Sequence, residues 1–227
     1  MAIESFPVLS ALLQWSPALV AGFGQNILIS VVAIGLGSVL GLLIGALALS
    51  PVGVIARVWV QVFRNAPWLV LIYFTTYVFP FEIHIGSSYV SFPDWVKVTI
   101  GLALPASANV AEIFRGAIGS IPSTQWEAAR SLAFTRGQLF RSIILPQCFK
   151  RMLPPWMNLY AVVTMGTALA SLVGVHDVID TAQIASNTVN MTGFTVVIYL
   201  SLLVLFFAYC YPISRLTQHL ERRYAFY

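Results

Sequence analysis

Residues 125–146 read QWEAARSLAFTRGQLFRSIILP. This is the one long segment that is both strongly cationic and amphipathic, and very apolar runs flank it on either side. Thr124 and Glu127 stand three apart after Pro122, the spacing of a capping box, so a helix is expected to begin here and to continue through Ala128, Ala129, Leu132 and Ala133. Arg130, Arg136 and Arg141 supply the charge, and a second amphipathic piece through Ile143, Ile144 and Leu145 is expected to end at Pro146. The segment is too charged to span a bilayer and too apolar for a plain linker. It reads as an interfacial helix or as a docking element for another protein.

Outward from it, the chain is a membrane protein. Of its 227 residues 59% are hydrophobic and 9% charged, with mean hydropathy +0.85, whereas soluble domains carry about 25% charged residues. The expected fold is all-α, with five spans of about 20 apolar residues at 19–49, 58–81, 96–114, 152–175 and 193–212. The organisation is a lead of residues 1–18, a membrane domain of 19–219 containing the loop 115–151, and a tail of 220–227. Residues 80–95 and 176–192 read as outer loops, the latter short and acidic with Asp177 and Asp180.

The charges orient these spans. Arg57, Arg115, Arg130, Arg136, Arg141, Lys150, Arg151, Arg215, Arg222 and Arg223 fall on one side, and only Arg64 and Lys97 depart. Glu4, Glu82, Asp94, Asp177 and Asp180 fall on the other. By the positive-inside rule the cationic loop and the C-terminus are cytoplasmic and the N-terminus is outside. The net charge of +4 therefore reports topology and not nucleic acid. The N-terminus, with Glu4 and no early Lys or Arg, does not read as a cleavable signal.

Small and polar residues mark contacts. Gly37, Gly41 and Gly45 recur every four residues, as for a close helix–helix face. Gly166, Ala170 and Gly174 form a second small stripe, and Thr164, Thr167 and Ser171 a polar one that reads as helix–helix glue. Arg64, Asn65 and Pro67 interrupt the second span, so its backbone is expected to kink there and to face protein or water. Arg64 is either a structurally paired cation or one facing a translocation path. Asn109 and Glu112 lie in the third span, and Glu112 is expected to pair with Arg115 three residues on.

Catalysis is not indicated. His84, His176 and His219 are isolated, and Cys148 and Cys210 have no metal or disulfide spacing. No phosphate-binding glycine loop precedes a lysine, so any ATP and Mg must be bound by another chain, and no cofactor is expected in this one.

Glu127-Ala128-Ala129, a small residue at Ala133, then Ile143, Leu145 and Pro146 resemble the EAA loop of ATP-binding-cassette importer permeases. The stretches FRNAPWLV at 63–70, AEIFRGAIGSIPSTQWEAAR at 111–130 and LPQCFKRMLPPWMN at 145–158 resemble the polar amino-acid branch, of histidine, glutamine and opine type. The resemblance runs from about Gly22 to the C-terminus and implies the type I importer permease fold in a bacterial inner membrane. It implies two ATP-binding subunits, an extracytoplasmic substrate-binding protein, a second permease subunit and an amino-acid-type substrate. Thr124, Glu127, Ala128, Ala129, Ala133, Leu145 and Pro146 would then couple to the ATPase, and Arg64, Asn65, Pro67, Asn109 and Glu112 would lie along the substrate path.

Two departures stand out. Ala133 replaces a glycine common in the family; as the better helix former it is expected to leave docking intact. In the fourth span, polar residues that the family ties to its substrate site are represented by Leu159, Met165 and Gly166, while Thr167 is kept. A face stripped of charge suggests that a non-identical partner permease supplies the charged contacts; the alternative is a pair of identical permeases that carries a less charged solute. The alternative function is an ion-coupled secondary transporter, which needs repeated halves and buried mid-membrane acids.

Overall fold

The computed structural model describes residues 7–51, 53–85 and 88–224. Glu4, counted among the outer acids, lies outside them. Nine α-helices and one short hairpin make up these described residues: α1 Pro7–Ala48, α2 Gly53–Asn65, α3 Trp68–Val78, β1 Glu82–Ile85, β2 Ser88–Ser91, α4 Asp94–Gly119, α5 Ser123–Ser131, α6 Arg136–Leu139, α7 Leu145–Gly166, α8 Val178–Val189 and α9 Thr192–Tyr224. The hairpin pairs antiparallel within the outer loop expected at 80–95.

Four of the five expected spans are helices long and apolar enough to cross a membrane: Val8–Ala48, Asp94–Gly119, Arg136–Val173 and Thr192–Tyr224. The remaining one is split, as the proline predicts. Asn65 donates its side-chain amide to the Gln61 carbonyl at 2.7 Å and closes α2, and Pro67, extended at φ −62°, ψ 127°, opens α3.

The α1–α4 contact is the centre of the bundle. A Cβ on Gly37 would come within 2.7 Å of the Ala106 Cβ, one on Gly41 within 2.5 Å of the Ser107 carbonyl oxygen, and one on Gly45 within 2.7 Å of the Phe114 ring. Lipid is as apolar as a leucine side chain, so helices associate in it through such close backbone approach. Ile29 and Ile34 of α1, Ile72 of α3, Leu102 of α4 and Val163 of α7 fill the core around that seam. Large apolar side chains such as Leu43, Leu203 and Phe207 face outward.

Several expectations need correction. The first helix does not begin at Leu19: α1 starts at Pro7 and runs through Pro17 for 42 residues, about 63 Å at 1.5 Å per residue. That is twice the ~30 Å hydrocarbon core, and its first turns pack beside α8 and α9 through Leu12 and Trp15. Residues 178–189, expected as loop, form α8. The acids that suggested a loop are its start signal, for the Asp177 side chain caps α8 by accepting the Asp180 N–H. Val178, Ala182 and Ala185 then bury one stripe against Phe194 and Ile198.

Pro146 does not end a helix. It sits at the start of α7, after a wide turn over Phe140–Ile144 in which the Leu145 N–H reaches back to the Phe140 carbonyl. Thr124 and Glu127 form no capping box, because α5 already begins at Ser123 behind Pro122 and no side chain caps it. The capping box forms eleven residues later, with Thr135 and Gln138 at the head of α6. Ala133 does not continue α5; it takes a left-handed conformation at φ 58° between α5 and α6, the region in which glycine has no steric cost.

Lys97, one of the two cations that depart from the charge pattern read in the sequence, is fully buried. Its Nζ lies 3.0 Å from Asp94 Oδ1 and 3.5 Å from the centroid of the Phe81 ring. An anion and an aromatic face together compensate its charge.

Candidate functional site: the cationic loop and the arginine-lined cavity

The loop after α4 presents two faces. Thr124, Glu127, Ala128 and Ser131 are exposed, at the helical spacing that puts them on one side of α5. Ala129 points the other way and is buried with Phe114, Ile121, Leu139 and Ile144. Two side-chain links fasten the loop to the bundle. Gln147 donates to the Gln125 side-chain oxygen at 2.6 Å, and Arg151 donates to the Ser120 carbonyl at 2.7 Å and to its hydroxyl at 3.0 Å. The Glu127 carboxylate has no partner recorded among the described residues, although its backbone carbonyl accepts from Ser131. Trp126, Arg130, Phe134 and Arg136 line an open cavity of about 600 Å³ between α5 and α6. Leu145 and Pro146 are exposed at the head of α7. The result is a rigidly mounted, cationic projection with one free carboxylate.

A second polar cluster lies between α2 and α4. Arg115 grips Glu112 with two hydrogen bonds, Nε to Oε2 at 3.0 Å and a shorter one from Nη2 to Oε1. Arg64 reaches the same carboxylate from α2, with Nη1 3.8 Å from Oε1. Arg57, Gln61, Arg64, Glu112 and Arg115 line one cavity of about 240 Å³ whose floor is Gly45 and Ala48 of α1. Among the sequence-predicted path residues, the structure brings together Arg64 and Glu112.

The others are placed elsewhere. Asn65 closes α2, and Asn109 donates to the Pro105 carbonyl of its own helix at 2.8 Å. Leu159 is buried in the core. Gly166 lies under Trp68: a Cβ there would come within 2.8 Å of the ring. Met165 faces outward into an apolar groove with Tyr199 and Phe207.

Thr167 belongs to a buried network that sequence reasoning missed. The Asn26 amide donates to Thr167 Oγ1 and to Asp177 Oδ2, each at 3.0 Å, while its own oxygen accepts the Val178 N–H at 3.0 Å. The Thr167 hydroxyl donates to the Thr164 carbonyl at 2.7 Å. Burial pushes the Asp177 carboxyl above the ordinary aspartate value, and the hydrogen bonds from the Asp180 N–H and Asn26 hold it back. The faint signal for this network was a lone asparagine inside the uncharged first span.

A family model described as the binding-protein-dependent transport system inner membrane component matches residues 37–226. The chain is 31% identical over 230 residues to a probable amino-acid ABC transporter permease of Bacillus subtilis, covering 100% of this chain and 93% of that one. It is 30% identical over 205 residues to a probable glutamine ABC transporter permease of the same organism, covering 89% and 91%. Among solved structures, an amino acid ABC transporter with histidines superposes with TM-score 0.82 at 27% identity, over 93% of this chain and 96% of that one. An inward-facing methionine ABC transporter gives TM-score 0.67 at 17% identity over 89% and 96%, a likeness of fold alone.

Proposed function

The chain belongs to the family of binding-protein-dependent transport system inner membrane components, and from that premise we propose that it is one permease subunit of an ATP-driven importer of polar amino acids or related compounds. It crosses the bacterial inner membrane five times, through α1, the α2–α3 pair, α4, the 136–173 run and α9. The N-terminus is outside and the C-terminus cytoplasmic, as the basic residues on the α5 side favour. Two ATP-binding subunits hold ATP and Mg and grip the exposed face of α5. An extracytoplasmic binding protein delivers the solute, and the chain itself catalyses no reaction.

The observation that carries this reading is the mounting of α5. An exposed face with Glu127 at its centre is tied through Gln125–Gln147 to α7, and Arg151 of α7 is in turn bonded to Ser120, the residue that joins α4 to the turn before α5. Motion imposed on α5 passes directly into two spans. Affinity purification from native membranes in mild detergent is expected to retrieve an ATP-binding subunit in stoichiometric amount. A chain that purifies alone, in membranes whose uptake follows a proton or sodium gradient, would overturn the reading in favour of a secondary transporter.

The second permease is a non-identical homologue. Trp68 covers Gly166, and Leu159 is sunk in the core, so this fourth span offers no site for a charged group. Burying a charge there without a partner costs several kcal/mol. Mass analysis of the purified complex is to find two different permease chains.

Orientation is tested by thiol labelling in a chain whose Cys148 and Cys210 have been replaced. An impermeant reagent is expected to reach Gln183→Cys in intact cells and Thr135→Cys only after permeabilisation. The reverse pattern rules out the orientation.

A further inference from the structure

Three guanidiniums, those of Arg57, Arg64 and Arg115, face a single carboxylate in the cavity between α2 and α4. Glu112 cannot neutralise them all. Arg115 holds it with both oxygens, leaving Arg64 a longer contact of 3.8 Å. Arg64 and Arg115 are more than half exposed and Glu112 about a quarter, so the cluster opens onto the cavity instead of closing on itself. Guanidinium groups bind carboxylates by paired, directional hydrogen bonds.

We propose that this cavity is a carboxylate subsite in which Glu112 is a tethered stand-in, displaced from Arg64 when the carboxylate of a small solute enters. The inference rests on the transport reading above and narrows its substrate class. Zwitterionic and acidic amino acids fit a cavity with surplus positive charge, and solutes whose only charge is cationic do not. The volume of about 240 Å³ suits one small solute.

Phenylglyoxal, which modifies accessible guanidinium groups, reads occupancy without needing transport. The whole complex, purified with its partner subunits in detergent, is labelled and the modified peptides are quantified by mass spectrometry, with Arg215 of the tail as internal control. L-glutamate and acetate are expected to slow modification of Arg64 at least threefold and to leave Arg215 unchanged, whereas L-lysinamide, which has neither a carboxylate nor a guanidinium to consume the reagent, gives no protection. Glu112→Gln keeps an acceptor for Arg115 but removes the competing charge, so L-glutamate should protect Arg64 at a severalfold lower concentration. Glu112→Asp, which retracts from Arg64 by one methylene, is expected to shift it the same way and serves if the amide variant does not assemble. Equal protection by L-lysinamide, or none by L-glutamate, overturns the subsite. Protection by phosphatidylglycerol but not by L-glutamate assigns the cluster to a lipid headgroup and overturns it also. Unchanged concentration dependence in both Glu112 variants removes the stand-in. Protection of Arg64 in a complex that takes up no amino acid leaves the subsite standing and defeats the transport reading instead.

Discussion

Glu127→Lys is expected to leave the protein in the membrane at normal abundance and to abolish transport, with substrate-stimulated ATP hydrolysis falling in parallel by about tenfold or more. The carboxylate is exposed, and no side chain among the described residues pairs with it. It stands at the centre of the one face of α5 that is not packed on the bundle. Truncating one member of a hydrogen-bonded charge pair that becomes buried at an interface costs about 2–5 kcal/mol; reversing its sign adds repulsion. Arg130 and Arg136, already cationic on the adjoining surface, sharpen the effect. The measurement is ATPase activity of the reconstituted complex with and without loaded binding protein, alongside abundance by immunoblot. Full stimulation in the variant would remove α5 from the coupling path.

The second large effect concerns stability. Asn26→Ala removes the one side chain that bridges α1, Thr167 and the start of α8. It leaves the Val178 N–H and one oxygen of Asp177 buried without their partner. Each buried polar group left unpaired costs about 1–3 kcal/mol, and a charged one more. For a chain of this size the melting temperature should drop by on the order of 10 °C, read by thermal unfolding in detergent. Thr167→Val removes the hydrogen bond from Asn26 and the one to the Thr164 carbonyl, leaves one Asn26 donor unpaired, and is expected to cost about 1–3 kcal/mol, less than Asn26→Ala, with solute selectivity unchanged. If Thr167→Val instead alters selectivity at constant melting temperature, Thr167 lies on the substrate path and the structural role assigned to it fails.

What the sequence made legible were features that one residue type decides locally. Three glycines in register within an uncharged run required a close helix–helix approach, and they make it against α4. A proline beside a cation required a break, and α2 and α3 meet there. Glu112 and Arg115, three apart on one helix, could hardly avoid pairing.

What stayed hidden were choices between locally equivalent signals and contacts made at long range. Two segments match the capping-box pattern, Thr124–Glu127 and Thr135–Gln138, and only the start of α5 behind Pro122 decides between them. Ala133 advertises helix by propensity, but the chain reverses there between α5 and α6, so tertiary geometry overrides it. Asp177 looked like a solvated loop acid because its partner Asn26 is 151 positions away. Arg64 could be placed in a polar setting from sequence, yet its sharing of Glu112 with Arg115 required three-dimensional proximity of α2 and α4.

The enclosure of Lys97 bears on how this protein can be handled at the bench. The chain has two lysines, Lys97 and Lys150. The first is sealed between Asp94 and the Phe81 ring with none of its surface open, while the second is exposed at the foot of α7 beside the cationic loop. An amine-reactive dye or crosslinker applied to the folded chain therefore finds one side-chain target, next to the cationic loop. A reporter can be installed there by chemistry alone, without introducing a cysteine or touching Cys148 in the core.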